Sequence, residues 1–164
     1  MIAPQLMSSA KGDWQTPEVV LDAVREFFGG AIGLDPCTAG DNPTRAVRFF
    51  ALPQDGLAAS WEGFGSIYCN PPYGRGIKPW VDACAQAGSH SEVIALLPAR
   101  PDTVWFQPCF PPRSSAICFW KGRLTFKGAP DPAPFPSVIV YWSPRPALVK
   151  LFRGQFDCYG TVLS

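Results

Sequence analysis

Asn70-Pro71-Pro72-Tyr73 is the stretch of this 164-residue chain whose residue types and order most narrow the possible chemistry. Two consecutive prolines fix φ and remove two backbone donors, which leaves a stiff loop with exposed carbonyl acceptors. Pro71 also forces Asn70 into an extended conformation and so gives its side chain a defined direction. The Asn70 amide oxygen and the Pro71 carbonyl can then accept both hydrogens of one planar –NH2 group, and the Tyr73 ring offers a surface on which a flat group stacks. Such a site suits methylation of an exocyclic amine. The amine lone pair is delocalised into its ring, and two acceptors that favour a tetrahedral nitrogen localise it and aim it at a sulfonium methyl group. No strong general base is needed beforehand, because the proton can leave after transfer. Read without chemistry, the same tetrapeptide is a rigid turn between a strand and a helix. Its setting favours function: a strand before it, Gly74 after it, then an amphipathic helix.

The elements that must position this loop are legible from period and punctuation. Thr16-Pro17 is a helix entry, with Thr16 as cap, Pro17 in the first turn and Glu18 at the positive end. Val19, Val20, Ala23, Val24, Phe27 and Phe28 recur at helical spacing until Gly29-Gly30 stops the run. Ala31–Leu34 reads as a short strand ending at Asp35-Pro36-Cys37. Val47–Leu52 is a second apolar run, Gln54-Asp55-Gly56 a turn, and Leu57 and Trp61 are expected to be buried. Ser66–Cys69 is a strand that leads into Asn70, and Ile77–Ala87 is a helix ended by Gly88. Val93–Leu97 is a strand closed by Pro98, and Asp102–Phe106 opens a short helix. Ser115–Trp120 and Val138–Trp142 are further strands, with the Gly/Pro-rich stretch 122–136 between them. Alternating strands and helices indicate an α/β fold with a mainly parallel sheet and a C-terminal antiparallel strand pair. Ligands of such sheets bind at the carboxyl ends of strands, where Asp35 and Asn70 both fall.

Composition agrees with a packed protein: 47% of residues are hydrophobic and 16% charged. Nineteen prolines and fifteen glycines imply many loops and short elements. No apolar run approaches the ~20 residues of a membrane helix. The first twelve residues, read as a loose arm, lack a signal-peptide layout. The whole chain, 1–164, reads as one domain, and a cytoplasmic location is the expectation. Six dispersed cysteines without a C-x-x-C pair, and a lone His90 read as an exposed loop residue, argue against a metal site and a disulfide framework. Cys69 and Trp80 are read as core residues. Residues 1–62 hold four Lys/Arg and eight Asp/Glu, whereas residues 63–164 hold ten and five. That asymmetry suggests either scatter or a basic face for a polyanion.

The chain resembles the phage-type (Dam-like) DNA N6-adenine methyltransferases, which use S-adenosylmethionine. The matching pieces, in order, are Asp13-Trp14-Gln15-Thr16-Pro17, Leu34-Asp35-Pro36-Cys37, Gln54-Asp55-Gly56-Leu57 with Trp61, and Asn70-Pro71-Pro72-Tyr73-Gly74. They continue with Leu97-Pro98-Ala99-Arg100, Asp102-Thr103 and Trp105-Phe106, then Gly122-Arg123-Leu124-Thr125-Phe126 and Ala133-Pro134-Phe135-Pro136-Ser137. The resemblance implies a Rossmann-like methyltransferase fold without a separate target-recognition domain. It implies methyl transfer to adenine N6 in DNA within a bacterial host cell, from a phage or prophage gene. It assigns catalysis to Asn70, Pro71, Pro72 and Tyr73, and S-adenosylmethionine binding to Trp14, Thr16, Pro17, Asp35, Pro36, Cys37, Asp55 and Asn70. The usual glycine-rich cofactor loop is absent, since Gly40 is the only glycine soon after Asp35. No acidic residue ends the Val47–Leu52 run, so Asp55 is the candidate for the ribose. A target amine inside a duplex must be flipped out to reach such a pocket. Arg75, Lys78, Arg100, Lys121, Arg123 and Lys127 are the expected phosphate contacts, with 122–136 reaching toward a groove. Methylation of cytosine N4, an RNA base or a protein glutamine uses the same motif geometry, and a non-catalytic nucleic-acid-binding relative is the reading from another class.

Overall fold

The computed structural model describes residues 14–164; the expected N-terminal arm lies outside them. Seven strands form one sheet: β1 (Leu34–Asp35), β2 (Arg48–Phe49), β3 (Ser66–Cys69), β4 (Glu92–Pro98), β5 (Ala116–Trp120), β6 (Ser137–Trp142) and β7 (Gly160–Leu163). Their spatial order is β2-β1-β3-β4-β6-β5-β7. Helix α1 (Glu18–Phe27) and helix α3 (Val149–Phe156) cover one face. Helix α2 (Ile77–Ala87) and the 3-10 turn Val104–Cys109 cover the other. β4 is buried at all seven positions, which matches its unbroken apolar run covered on both faces.

The expectation of a mainly parallel sheet is corrected. β2, β1, β3 and β4 pair in parallel, but β4–β6, β5–β6 and β5–β7 pair antiparallel, and the longest ladder, β4–β6, is among the antiparallel ones. The β5–β6 pair was expected; its insertion beside β4 was not. Because β4 and β5 are each antiparallel to β6, they point the same way, and the carboxyl ends of β1 to β5 share one edge of the sheet. That edge carries Asp35 and Asn70.

Local signals set α1, α2 and the strands β3 to β6 well and failed at other points. α1 stops where expected: Gly30 N–H bonds the Arg25 carbonyl at 2.7 Å, with Gly29 and Gly30 at φ +79° and +113°, a left-handed pair that glycine tolerates. Thr16, however, does not cap α1. Pro17 holds the cap position without any side-chain bond, and the Thr16 hydroxyl is turned inward. Val47–Leu52 is not a buried strand, because β2 is an edge: Val47 is 80% and Leu52 94% exposed. Leu57 is likewise exposed, while Trp61 is buried and donates its indole N–H to the Gly56 carbonyl. The sequence reading omitted α3 and β7, yet Phe152 and Phe156 of α3 are fully buried against Phe27 and Tyr141. The stretch 122–136 is no free arm. Leu124, Phe126 and Ala133 are buried in the core, and Lys127 N–H bonds the Gln15 carbonyl, so it forms a strap lying over the segment before α1.

Candidate active site

At the carboxyl edge of β1 and β3 the chain forms a cleft of about 230 Å3. Seven residues assigned to the cofactor line it: Trp14, Thr16, Asp35, Pro36, Cys37, Asp55 and Asn70; Pro17 does not. From the motif loop Pro72 joins the lining, whereas Pro71 is buried behind it and Tyr73 stands to one side. Side chains along β3 alternate between faces, so Tyr68 and Asn70 point toward the α1 side while Ile67 and Cys69 pack under α2.

Asn70 is held at one end only. Its Nδ2 donates to the Trp14 carbonyl at 2.6 Å and to Thr16 Oγ1 at 3.1 Å. Its Oδ1 is buried and, among the described residues, has no partner. A buried acceptor without a donor costs free energy, so this oxygen is left open to a partner from the cleft. The Tyr73 ring stands edge-on to Phe126 and Phe135, at 6.3 and 5.5 Å, and its hydroxyl donates to the Leu96 carbonyl at 3.1 Å. Burial pushes that phenol well above its ordinary range, so Tyr73 is a neutral anchor and not a base.

Asp35 ends β1, 2% exposed. Thr44 Oγ1 donates to its Oδ2 at 2.8 Å, and the Cys37 N–H to its Oδ1 at 3.1 Å. Desolvation raises its pKa to about 6 against the pull of those bonds, which still leaves it ionised at neutral pH. Cys37 Sγ lies 3.6 Å from Cys69 Sγ and 3.4 Å from the Asn70 carbonyl, and burial pushes both thiols up. Neither cysteine is poised as a nucleophile. Asp55 is exposed at the mouth, its Oδ1 accepting the Leu57 N–H in a turn. Gly56 lies against the backbone of Pro36, where a Cβ would fall 1.7 Å from the carbonyl oxygen.

Several lining residues escaped the sequence reading: Gln15, Thr38, Thr44, Tyr68, Trp80 and the loop 50–54. Tyr68 had a signal, its place on β3 two residues before Asn70. Trp80, read as a core residue, is half-buried beside Trp61 and closes one side of the cleft. Of the basic residues, Arg100, Lys121 and Arg123 follow β4 and β5 onto the same edge, Arg75 follows the motif loop, and Lys127 sits on the strap beside Gln15. Lys78 is paired with Asp82 at 2.5 Å, which leaves it less available to another anion. His90 is exposed, as expected. Among the described residues, no group of three or more His, Cys, Asp or Glu side chains is placed to hold a metal. Nor is any helix there long and apolar enough to cross a membrane.

The stiff amide-bearing loop and the buried carboxylate share one edge of an α/β sheet, the strand ends at which such sheets bind ligands. The family model for DNA N-6-adenine-methyltransferases (Dam) matches residues 4–146, and the chain belongs to that family. No curated protein and no solved structure matches it. Family membership implies adenine methylation in DNA as the activity.

Proposed function

We propose that the protein transfers a methyl group from S-adenosylmethionine to N6 of adenine in DNA. It would do so through a Rossmann-like methyltransferase unit. The observation that carries this reading is the Asn70 amide, with both donors engaged and its buried acceptor unpartnered. An acceptor at that point receives one hydrogen of the target amine, and the Pro71 carbonyl receives the other. Both bonds strengthen as the nitrogen becomes tetrahedral and cationic, so they stabilise the transition state more than the ground state.

S-adenosylmethionine, when bound, supplies the electrophilic sulfonium methyl. The cleft suits it: apolar walls from Phe50, Leu52, Pro53 and Trp80 fit an adenosine ring, and an ionised Asp35 fits its ammonium or ribose hydroxyls. Asp55 at the mouth is the second carboxylate available to the sugar. The target adenine is flipped from the duplex to reach Asn70, held beside Pro72 and Tyr73, while Arg75, Arg100, Lys121, Arg123 and Lys127 take phosphates. The test is to incubate the protein with methyl-labelled S-adenosylmethionine and DNA, then digest to nucleosides. Label in N6-methyladenine is expected; label only in cytosine, in RNA or in protein, or none at all, overturns the proposal.

A further inference from the structure

Thr16 stands at the centre of a hydrogen-bond chain whose effect falls on Asn70. Its Oγ1 lies 3.1 Å from Asn70 Nδ2 and 2.7 Å from the Tyr68 hydroxyl, and Thr16 itself is only 6% exposed. The 2.6 Å contact between Asn70 and the Trp14 carbonyl decides which end of the amide faces which way. A carbonyl oxygen only accepts, so the atom beside it is the nitrogen. The second amide hydrogen then goes to Thr16 Oγ1. Turned over, the amide would press its oxygen against the Trp14 carbonyl and offer donors to an amine that itself needs acceptors.

The anchors are themselves held. The Gln15 carbonyl accepts from Lys127 N–H at 2.9 Å, and the Trp14 ring packs edge-on against Phe126 and Phe135, at 5.1 and 5.7 Å. Tyr68 is fully buried and bonds through its hydroxyl to Thr16, so the phenol keeps the threonine rotamer from turning toward solvent. Asn70 takes one lone pair of the Thr16 hydroxyl and Tyr68 takes either its hydrogen or its other lone pair, so two of its three hydrogen-bonding positions serve these neighbours.

We propose that Thr16, backed by Tyr68, is a positioning residue that locks the Asn70 amide with Oδ1 toward the target amine. The inference rests on the adenine-methylation reading above. It separates from that reading because wild-type product analysis tests the reading and the following variants test the lock. In T16V the methyl-transfer rate in a single turnover falls about 10- to 100-fold, the cost of misplacing a reacting group, and T16S restores it to within about threefold. The S-adenosylmethionine dissociation constant of T16V, by calorimetry, stays within about threefold of wild type, which also shows that the variant folds. Y68F shows a smaller rate loss of the same kind. Independently of activity, the Asn70 side-chain NH2 protons exchange slowly with water in wild type, by nitrogen-edited NMR, and rapidly in T16V. A wild-type rate in T16V, a loss expressed wholly as weaker S-adenosylmethionine binding, or fast exchange of the Asn70 amide in wild type each overturns the proposal.

Discussion

An asparagine amide presents two chemically opposite ends, and in this cleft the neighbours have claimed one of them. With the Asn70 donors held by Trp14 and Thr16, Asn70→Ala removes an acceptor that, in the proposed mechanism, matters chiefly at the reacting nitrogen. Turnover is expected to fall by about 2–4 kcal/mol of transition-state stabilisation, with S-adenosylmethionine affinity largely kept. Paired turnover and calorimetric measurements check this, and near-normal turnover would end the mechanism. Asp35 makes a second prediction, in pH. Burial lifts its pKa from 3.8 to about 6 in the folded protein, so across that window the native state keeps a proton that the unfolded chain has lost. The stability contributed by Asp35 is therefore full below 3.8 and is lost as pH rises through about 6. Denaturant titrations should show wild type losing ground to the neutral isostere Asp35→Asn across that interval and running parallel to it above. Ligand affinity should run the opposite way, strengthening as the carboxylate ionises, and in Asp35→Asn it should be weak and flat with pH. A wild-type affinity indifferent to pH 5–7 would take Asp35 out of the site.

Loops that follow the strands supply most of the cleft lining. The 52–57 loop touches the Pro36 backbone at Gly56, so a single methyl there must displace one of two cleft walls. Gly56→Ala should cost about 1–3 kcal/mol of stability and weaken S-adenosylmethionine binding, since overpacking against backbone has no flexible side chain to absorb it. A thermal melt with calorimetry decides; unchanged affinity would show the loop to be remote from the ligand. The strap 122–136 joins the core through Leu124 and Phe126 while keeping Arg123 and Lys127 exposed. Arg123→Ala and Lys127→Ala should each weaken DNA binding across all sequences and reduce the salt slope by about one. If affinity and slope both hold, the strap is structural and DNA meets another surface.

Taken whole, the molecule depends on a part that the family match does not include. The match ends at residue 146, and α3 and β7 follow it. α3 inserts Phe152 and Phe156 into the core on the α1 face, and β7 pairs with β5, which would otherwise be an open edge. A buried Phe→Ala change costs about 3–5 kcal/mol, and two such losses approach the stability of a small domain. Truncation after residue 146 should therefore abolish the cooperative thermal transition, and Phe156→Ala in the full chain should lower stability by about 3–5 kcal/mol. A truncated chain that still melts cooperatively would show those elements to be accessory.

What the sequence determined by itself is the set of elements whose causes are local. Ser66–Cys69 and Ile77–Ala87 were read to the residue because proline and glycine punctuate their ends and the apolar period runs unbroken between them. The Asn70 loop was legible for the same reason, stiffness being written into Pro71-Pro72. Distant pairing was not legible. β6 lies between β4 and β5 because six residues of β4 find antiparallel partners on a strand some forty-five residues later, which no window along the chain contains. Val149–Phe156 and Gly160–Leu163 carry weak local signals, an interrupted apolar pattern and a four-residue run, and are stable because they bury phenylalanines and close an edge. Thr16 shows the contest at one residue. Its type and place before Pro17 signal a helix cap, but tertiary structure offers it Tyr68 and Asn70, and a buried hydroxyl must be satisfied where it lies. The motif residues were readable one by one. Only the folded chain could decide which end of the Asn70 amide remains unpartnered, because its neighbours come from Trp14 and Thr16, more than fifty residues away.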